Sequence, residues 1–288
     1  MRKLVFLLPA IGFLIVVIII PYGYMIKYSF TAYNLALPRF SGQFIGLENY
    51  RKFLGEPAVW KSLKLTLGFC FLAVSVEFVF GLGGAILLNK DFRAKRFIMS
   101  FIIIPSMLSP ISVALIWRFL LMPHFGTFLY YLARLGIVES VDMGIFSTAG
   151  SAFYTLVLID VWQWTPLIIL ILAAGLVSLP KEPFEAALVD GASALQIFKN
   201  VTLPLLKPTI ALAILFRLIT VLKTFDKVYL LTKGGPGSAT EILNMYSYRI
   251  NFIRWDFGYG STITLFILFI AFTATILLLK AIESVKSA

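Results

Sequence analysis

The chain has 288 residues, 60% of them hydrophobic and 14% charged, with a net charge of +11 and a mean hydropathy of +0.93. Soluble proteins run at about 45–50% apolar and about 25% charged, so a water-soluble fold is excluded and lipid must solvate much of the surface. One cysteine and one histidine exclude disulfides, Cys/His metal clusters and Cys–His nucleophile pairs; no catalytic residue, metal site or bound cofactor is expected.

A hydrocarbon core about 30 Å thick takes about 20 apolar residues in a helix. Six stretches qualify, near residues 4–30, 63–88, 97–121, 152–176, 209–231 and 259–279. The expected fold is an all-α integral membrane protein of about six transmembrane helices. Arg2 and Lys3 ahead of the first run resemble the start of a signal peptide. Yet Leu4 to Ile20 is longer than an h-region of about 7–15 residues, and no small-x-small cleavage site follows, so the run reads as a retained first span. Between spans two and three, residues 89–96 hold Lys90, Arg93, Lys95 and Arg96, four positive charges in eight residues. Short basic loops stay in the cytoplasm, which puts both termini inside as well, in keeping with Arg2, Lys3, Lys280 and Lys286. The expected location is therefore the plasma membrane, with the chain crossing it several times. The basic excess gathers in connecting segments, so nucleic acid is not an expected partner.

Segments near 31–62, 122–151 and 232–258 then face outward. Arg39, Arg51, Lys52 and Lys61 in the first of them run against the charge rule, which discriminates best in shorter loops. Cys70 falls inside span two, and His124 follows Pro123 in a connection. No soluble domain is appended: residues 1–288 read as a single transmembrane domain with its core at 60–285. No G-x-x-x-x-G-K-[ST] phosphate loop occurs, and Gly234-Gly235-Pro236-Gly237 lacks the lysine and reads as a turn. The energy source is an ion gradient or another chain.

The most informative segment runs from Leu179 to Pro204, between spans four and five. Pro183 suits a helix start, and Glu182 and Glu185 complement the positive end of the helix dipole. Phe184 and Leu188, four apart, share a face. Gly191 suits the left-handed residue after a helix, and Ser193 can cap a second short helix bearing Leu195 and Phe198. Pro204 is expected to bar its smooth continuation. Two readings remain open on these grounds: a compact helix–turn–helix pushed into the cytoplasm, or an amphipathic element lying on lipid. Glu182, Glu185 and Asp190 give the loop an acidic cast, whereas lipid-surface helices favour Lys and Arg.

Glu185-Ala186-Ala187, three residues, Gly191, nine residues, then Val201-x-Leu203-Pro204 resembles the EAA signature of permease subunits of ATP-binding-cassette importers, with valine in place of the usual isoleucine. The longer run, Asp190-Gly191-Ala192 through Phe198 to Leu203-Pro204-Leu205-Leu206-x-Pro208, is similar to the carbohydrate branch of that superfamily. So are Gly46-Leu47-Glu48-Asn49-Tyr50, Asp160-Val161-Trp162 with Trp164-Thr165-Pro166, and Phe225-Asp226 through Gly234-Gly235-Pro236. The likeness covers almost the whole chain and is nearest the six-span permeases for glycerol phosphate, disaccharides and oligosaccharides.

The resemblance implies a machine of several chains. Two permeases form the pathway, two ATPase subunits that use ATP and magnesium sit beneath them, and an external binding protein delivers the sugar. It implies that Glu185, Ala186, Ala187, Leu188, Asp190, Gly191 and Phe198 form the element coupling the permease to the ATPase. Small Ala186 and Ala187 permit close approach, Gly191 makes the turn, and Glu185 is placed to meet a basic ATPase residue.

Polar side chains inside a membrane normally face the bundle interior. Asp160, Gln163, Trp164 and Leu167 fall at i, i+3, i+4 and i+7 on span four, and Arg217, Thr220 and Thr224 at i, i+3 and i+7 on span five. An aromatic plane with hydrogen-bonding groups suits a sugar ring, and the family's substrate cavity on these two spans agrees, so these seven are the candidate substrate pathway. The same residues admit a structural reading, with Trp162 and Trp164 as interface anchors and Asp160 paired with Arg217. Lys223, Asp226 and Lys227 near the outer end of span five are candidates to gate it or to dock the binding protein, and Glu77 requires an interior partner.

Other functions fit less well. An ion-coupled transporter working through Glu77 and Asp160 gives the EAA loop no purpose and lacks an inverted repeat, and an intramembrane enzyme lacks a nucleophile–base pair. Within the importers, the alternative is a permease for a non-sugar solute such as a polyamine or phosphate.

Overall fold

Runs of twenty apolar residues cannot leave backbone N–H and C=O groups bare in lipid, so each closes its hydrogen bonds within a helix. The computed structural model describes residues 9–37, 42–138, 142 and 144–286, with only the backbone of residue 278 and residues 281–286. Arg2, Lys3, Arg39, residues 4–8 of the first apolar run and the side chain of Lys286 lie outside what is described.

In chain order the helices are α1 (Pro9–Ser29), α2 (Glu48–Gly55), α3 (Pro57–Asn89), α4 (Lys95–Ile102), α5 (Ile104–Met107), α6 (Pro110–Leu120) and α7 (Thr127–Arg134). They continue as α8 (Ala149–Val177), α9 (Glu182–Val189), α10 (Ala194–Ile197), α11 (Leu203–Leu222), α12 (Asp226–Leu231), α13 (Leu243–Tyr248) and α14 (Phe257–Lys286). Among the described residues, α1, α3, α8, the continuous helix Ala194–Leu222 and Phe257–Leu277 of α14 are long and apolar enough to cross a membrane. Lys95–Met107 and Pro110–Leu120 pass the same test as a pair bent by 95°, a broken span or a re-entrant loop, giving five or six candidate spans.

That bend corrects the straight third span expected at 97–121. The residue before a proline is driven out of the α region, and Leu108 and Ser109 are extended ahead of Pro110. The Ser109 hydroxyl then caps the new helix by accepting the Ser112 N–H at 3.1 Å. A second correction concerns Pro204. The chain does not stop there but runs on through a π turn at Phe198–Thr202 into α11, with Pro204 in the first turn. The wide turn gives the proline ring room, and the Leu203 N–H reaches back to the Phe198 carbonyl. Third, the fifth span ends at Leu222 rather than near 231, and α12 starts after a break at 223–225.

The described residues form two compact units. One takes in Met1–Lys64 and Ile242–Ile270. Its first helix buries only Ser29 among its described side chains. A two-residue antiparallel ladder, Thr31–Ala32 with Gln43–Phe44, follows. Asn49 on α2 locks the turn by donating to the carbonyls of Ser29 at 2.9 Å and Thr31 at 3.0 Å. The core beneath is Phe53, Val59, Leu243, Tyr246, Ile250, Tyr259 and Ile263, and Lys52 sits 4.1 Å from the centroid of the Tyr259 ring.

The other unit takes in Leu65–Glu241 and Ala271–Ala288. Ala85, Ile168, Leu172, Ala173, Leu206 and Ala213 form one core, from α3, α8 and α11. Where α8 meets α11 the backbones come close: a Cβ on Gly175 would lie 2.6 Å from Thr209 Cγ2 and 2.9 Å from Leu206 Cδ1. Such small-residue contacts replace the hydrophobic effect as the adhesive between helices in lipid. α12 packs on α6 around Val113, Leu121 and Leu231.

Candidate functional site

Four charged side chains are sealed inside the second unit. Glu77 on α3, Asp160 on α8, Arg217 on α11 and Lys227 on α12 have side chains no more than 4% exposed. The guanidinium of Arg217 donates to both Glu77 oxygens, Nη2 to Oε1 at 2.8 Å, and Nη2 also donates to Asp160 Oδ2. Lys227 Nζ donates to the other Asp160 oxygen and to Gln163 Oε1 at 2.9 Å. Buried Gln163 in turn donates to the Leu108 carbonyl at 3.0 Å, at the break in the bent span. Two anions thus meet two cations. A single charge at mid-bilayer costs about 2.5–3.5 kcal/mol; the fork geometry of arginine lets one cation serve two carboxylates at once.

Arg217 also lies beneath an aromatic ring, its guanidinium carbon 5.2 Å from the centroid of Trp164. Trp164, Thr220, Lys223, Thr224, Asp226 and Lys227 line a cavity of about 190 Å³ beside this network. It combines a flat aromatic surface, hydroxyls and charges of both signs. Whole ligand sites usually span about 300–1,000 Å³, so this cavity matches one part of a ligand rather than all of it.

The segment after α8 is built in the opposite way. Pro183 lies in the first turn of α9, where its missing N–H leaves no bond unmade, and Glu182 and Glu185 face the positive end of the helix dipole. The helix closes with paired bonds, Ala192 N–H to the Ala187 carbonyl at 2.9 Å and Gly191 N–H to Leu188 at 3.1 Å, and Gly191 takes φ +72°. Ser193 and Gln196 cap α10 reciprocally. Neither helix, nor the π turn after them, buries a single residue. Leu188, Val189 and Leu195 are exposed, although the turn between the two helices is closed by its own hydrogen bonds.

Residues 77–285 match the family described as the binding-protein-dependent transport system inner membrane component. The chain belongs to this family. Among its relatives, the trehalose/maltose transport system permease protein MalF of Thermococcus litoralis is 37% identical over 82% of this chain and 79% of that one. The sulfoquinovosyl glycerol transport system permease protein SmoG of Agrobacterium fabrum is 34% identical over 96% of this chain and 89% of its own length. A chain of a bacterial alginate importer, in complex with an alginate-bound periplasmic protein, shares the fold at a TM-score of 0.79 and 20% identity, over 96% of this chain and 92% of that chain.

The permease distributes its sequence-predicted residues over two places and a remainder. Trp164, Thr220 and Thr224 come together on the cavity wall. Asp160, Gln163 and Arg217 lie behind it in the ion network. Leu167 is half-buried on α8, outside that lining. Thr224 is not on the helical face of Arg217 and Thr220, because α11 has ended; the break brings it to the cavity by another route. Lys227, expected near a gate or docking surface, is buried and tied to Asp160. The interior partner that Glu77 required is Arg217. Glu185, Ala186, Leu188, Asp190 and Gly191 are exposed on the capped helix pair, with Ala187 and Phe198 half-buried. What sequence reading missed is the linkage of Glu77 and Lys227 through Arg217 and Asp160. Charge in apolar runs marked all four, and the structural reading paired Asp160 with Arg217, as the structure has them; nothing marked the ties of Glu77 and Lys227 to that pair.

Proposed function

We propose that this permease forms half of the pathway of an ATP-driven importer for a sugar, a disaccharide, oligosaccharide or sugar derivative. A second permease completes the pathway. Two ATPase subunits using ATP and magnesium drive it, and an external binding protein delivers the substrate; the chain itself binds no cofactor and acts as one transmembrane permease unit. Both termini and the loop bearing α9 and α10 face the cytoplasm. The observation that carries the reading is the bare helix pair with its self-closed turn: its exposed Leu188, Val189 and Leu195 and acidic first turn suit a cleft on another protein. There Glu185, Ala186, Ala187, Leu188, Asp190, Gly191 and Phe198 couple ATPase closure to rigid-body movement of α8 and α11, which flank the loop. The sugar passes Trp164, Thr220 and Thr224. Relatives named for trehalose/maltose and sulfoquinovosyl glycerol transport favour a carbohydrate over a polyamine or phosphate.

The test is gentle detergent extraction followed by identification of co-purifying chains. A second permease and an ATPase are expected; transport by the isolated chain in proteoliposomes without ATP would sink the reading. Calorimetry on the binding protein then identifies the sugar.

A further inference from the structure

The cavity wall is held by charge as well as by the apolar packing of Val228 and Leu231. α12 is six residues long, too short to be stable as an isolated helix, yet it supplies Asp226 and Lys227 to the lining. Its Lys227 is tied to α8 through Asp160 and Gln163. The same Asp160 takes a bond from Arg217, which carries Trp164 on its face and is anchored at the far side by Glu77. The short helix and the guanidinium against the indole are therefore joined through one carboxylate. Gln163, which accepts from Lys227, donates to the Leu108 carbonyl, so the break at Leu108 is joined to Lys227.

We propose that Lys227 is a positioning residue, and that the neutral quartet of Glu77, Arg217, Asp160 and Lys227 sets the placement of α12 against Trp164 and hence the shape of the cavity. Where the cavity takes part of a sugar, as proposed above, the quartet acts on affinity through the placement of the lining, the Lys227 Nζ being engaged by Asp160 and Gln163. The distinguishing property is charge balance. Lys227→Met leaves one excess negative charge, Asp160→Asn one excess positive charge. The double variant keeps the neutral Glu77–Arg217 pair and should recover much of the original arrangement.

The experiment uses the full chain in membranes and needs no sugar, so its failure is separable from failure of the sugar reading. A Thr224→Cys substitution places a thiol on the cavity wall, and the native Cys70, 4% exposed, reports general loosening. N-ethylmaleimide labelling of each thiol is followed by peptide mass spectrometry. Each charge variant should raise the labelling rate at position 224 about tenfold, and the double variant should fall back close to the parent, as expected for coupled neighbours. Cys70 labelling should stay unchanged throughout. The proposal is overturned if the double variant labels as fast as the singles or faster, or if Cys70 opens together with position 224. Should a single variant fail to accumulate in the membrane, accumulation becomes the readout: recovery in the double variant supports the quartet, and its absence overturns it. Uptake of maltose by Trp164→Ala and parent importers tests the sugar reading separately.

Discussion

Two regions of this permease break the ordinary rule of what lies inside, in opposite directions. Around Asp160 four charges are sealed away with side chains at most 4% exposed; on α9 and α10 the apolar Leu188, Val189 and Leu195 stand bare. Each is tolerated because its own costs are met locally. The charges are paired with one another, and the turn between the two bare helices closes its own hydrogen bonds. The difference lies in what remains unsatisfied: one guanidinium nitrogen, Arg217 Nη1, in the quartet, and an apolar surface on the loop. A region whose charges balance by themselves serves internal geometry, whereas one that is stable but uncovered serves contact with something else. Desolvation opposes the first arrangement and the hydrophobic effect the second; inside lipid it is polar satisfaction that organises the interior.

The largest effect should come from breaking the buried side. Arg217→Met leaves Glu77 and Asp160 with one cation between them, and removing one partner of a buried pair costs about 3–5 kcal/mol. Loss of the chain from the membrane fraction, or a steep fall in its thermal midpoint in detergent, is the expected outcome. Next in size is Gly175→Val, which drives a side chain into Leu206 and Thr209; overpacking costs about 1–3 kcal/mol, readable as a lower unfolding midpoint. On the bare side the signs separate. Glu185→Ala should leave stability within about 0.5 kcal/mol while sugar uptake and transport-coupled ATP hydrolysis fall about tenfold, equivalent to about 1.4 kcal/mol of activation free energy. Unchanged coupled hydrolysis would argue against a Glu185 contact with the ATPase. The smallest effect belongs to Ser193→Ala. Losing that cap costs about 1 kcal/mol, confined to α10, and should appear as faster amide exchange at Leu195 and Gln196 with exchange in α8 unaltered. Equal disturbance of α8 would mean that the loop is not the autonomous unit its capping implies.

Legibility followed the distance along the chain between interacting groups. The capped pair is made of bonds between residues three to five apart, such as Ser193 with Gln196 and Ala192 with Ala187, so Pro183, Gly191 and Ser193 announced its helix boundaries. The break at Ser109-Pro110 was equally local and was overlooked because hydrophobicity runs unbroken through it. The end of α11 at Leu222 carries neither proline nor glycine, and no local signal existed to find.

By itself the sequence determined that the chain lives in lipid, roughly where it crosses, and that a local signature resembling that of importer permeases sits between the fourth and fifth spans, because composition and short-range hydrogen bonding need no knowledge of the fold. The tertiary structure alone decided that Glu77, Asp160, Arg217 and Lys227 are one object. Their bonds span 140, 57 and 67 residues of sequence, and any of the charges could have found another partner or faced an aqueous path. Helix packing, set by close contacts such as that at Gly175, brought these particular four within reach, and the need for neutrality in a medium without water then left them paired.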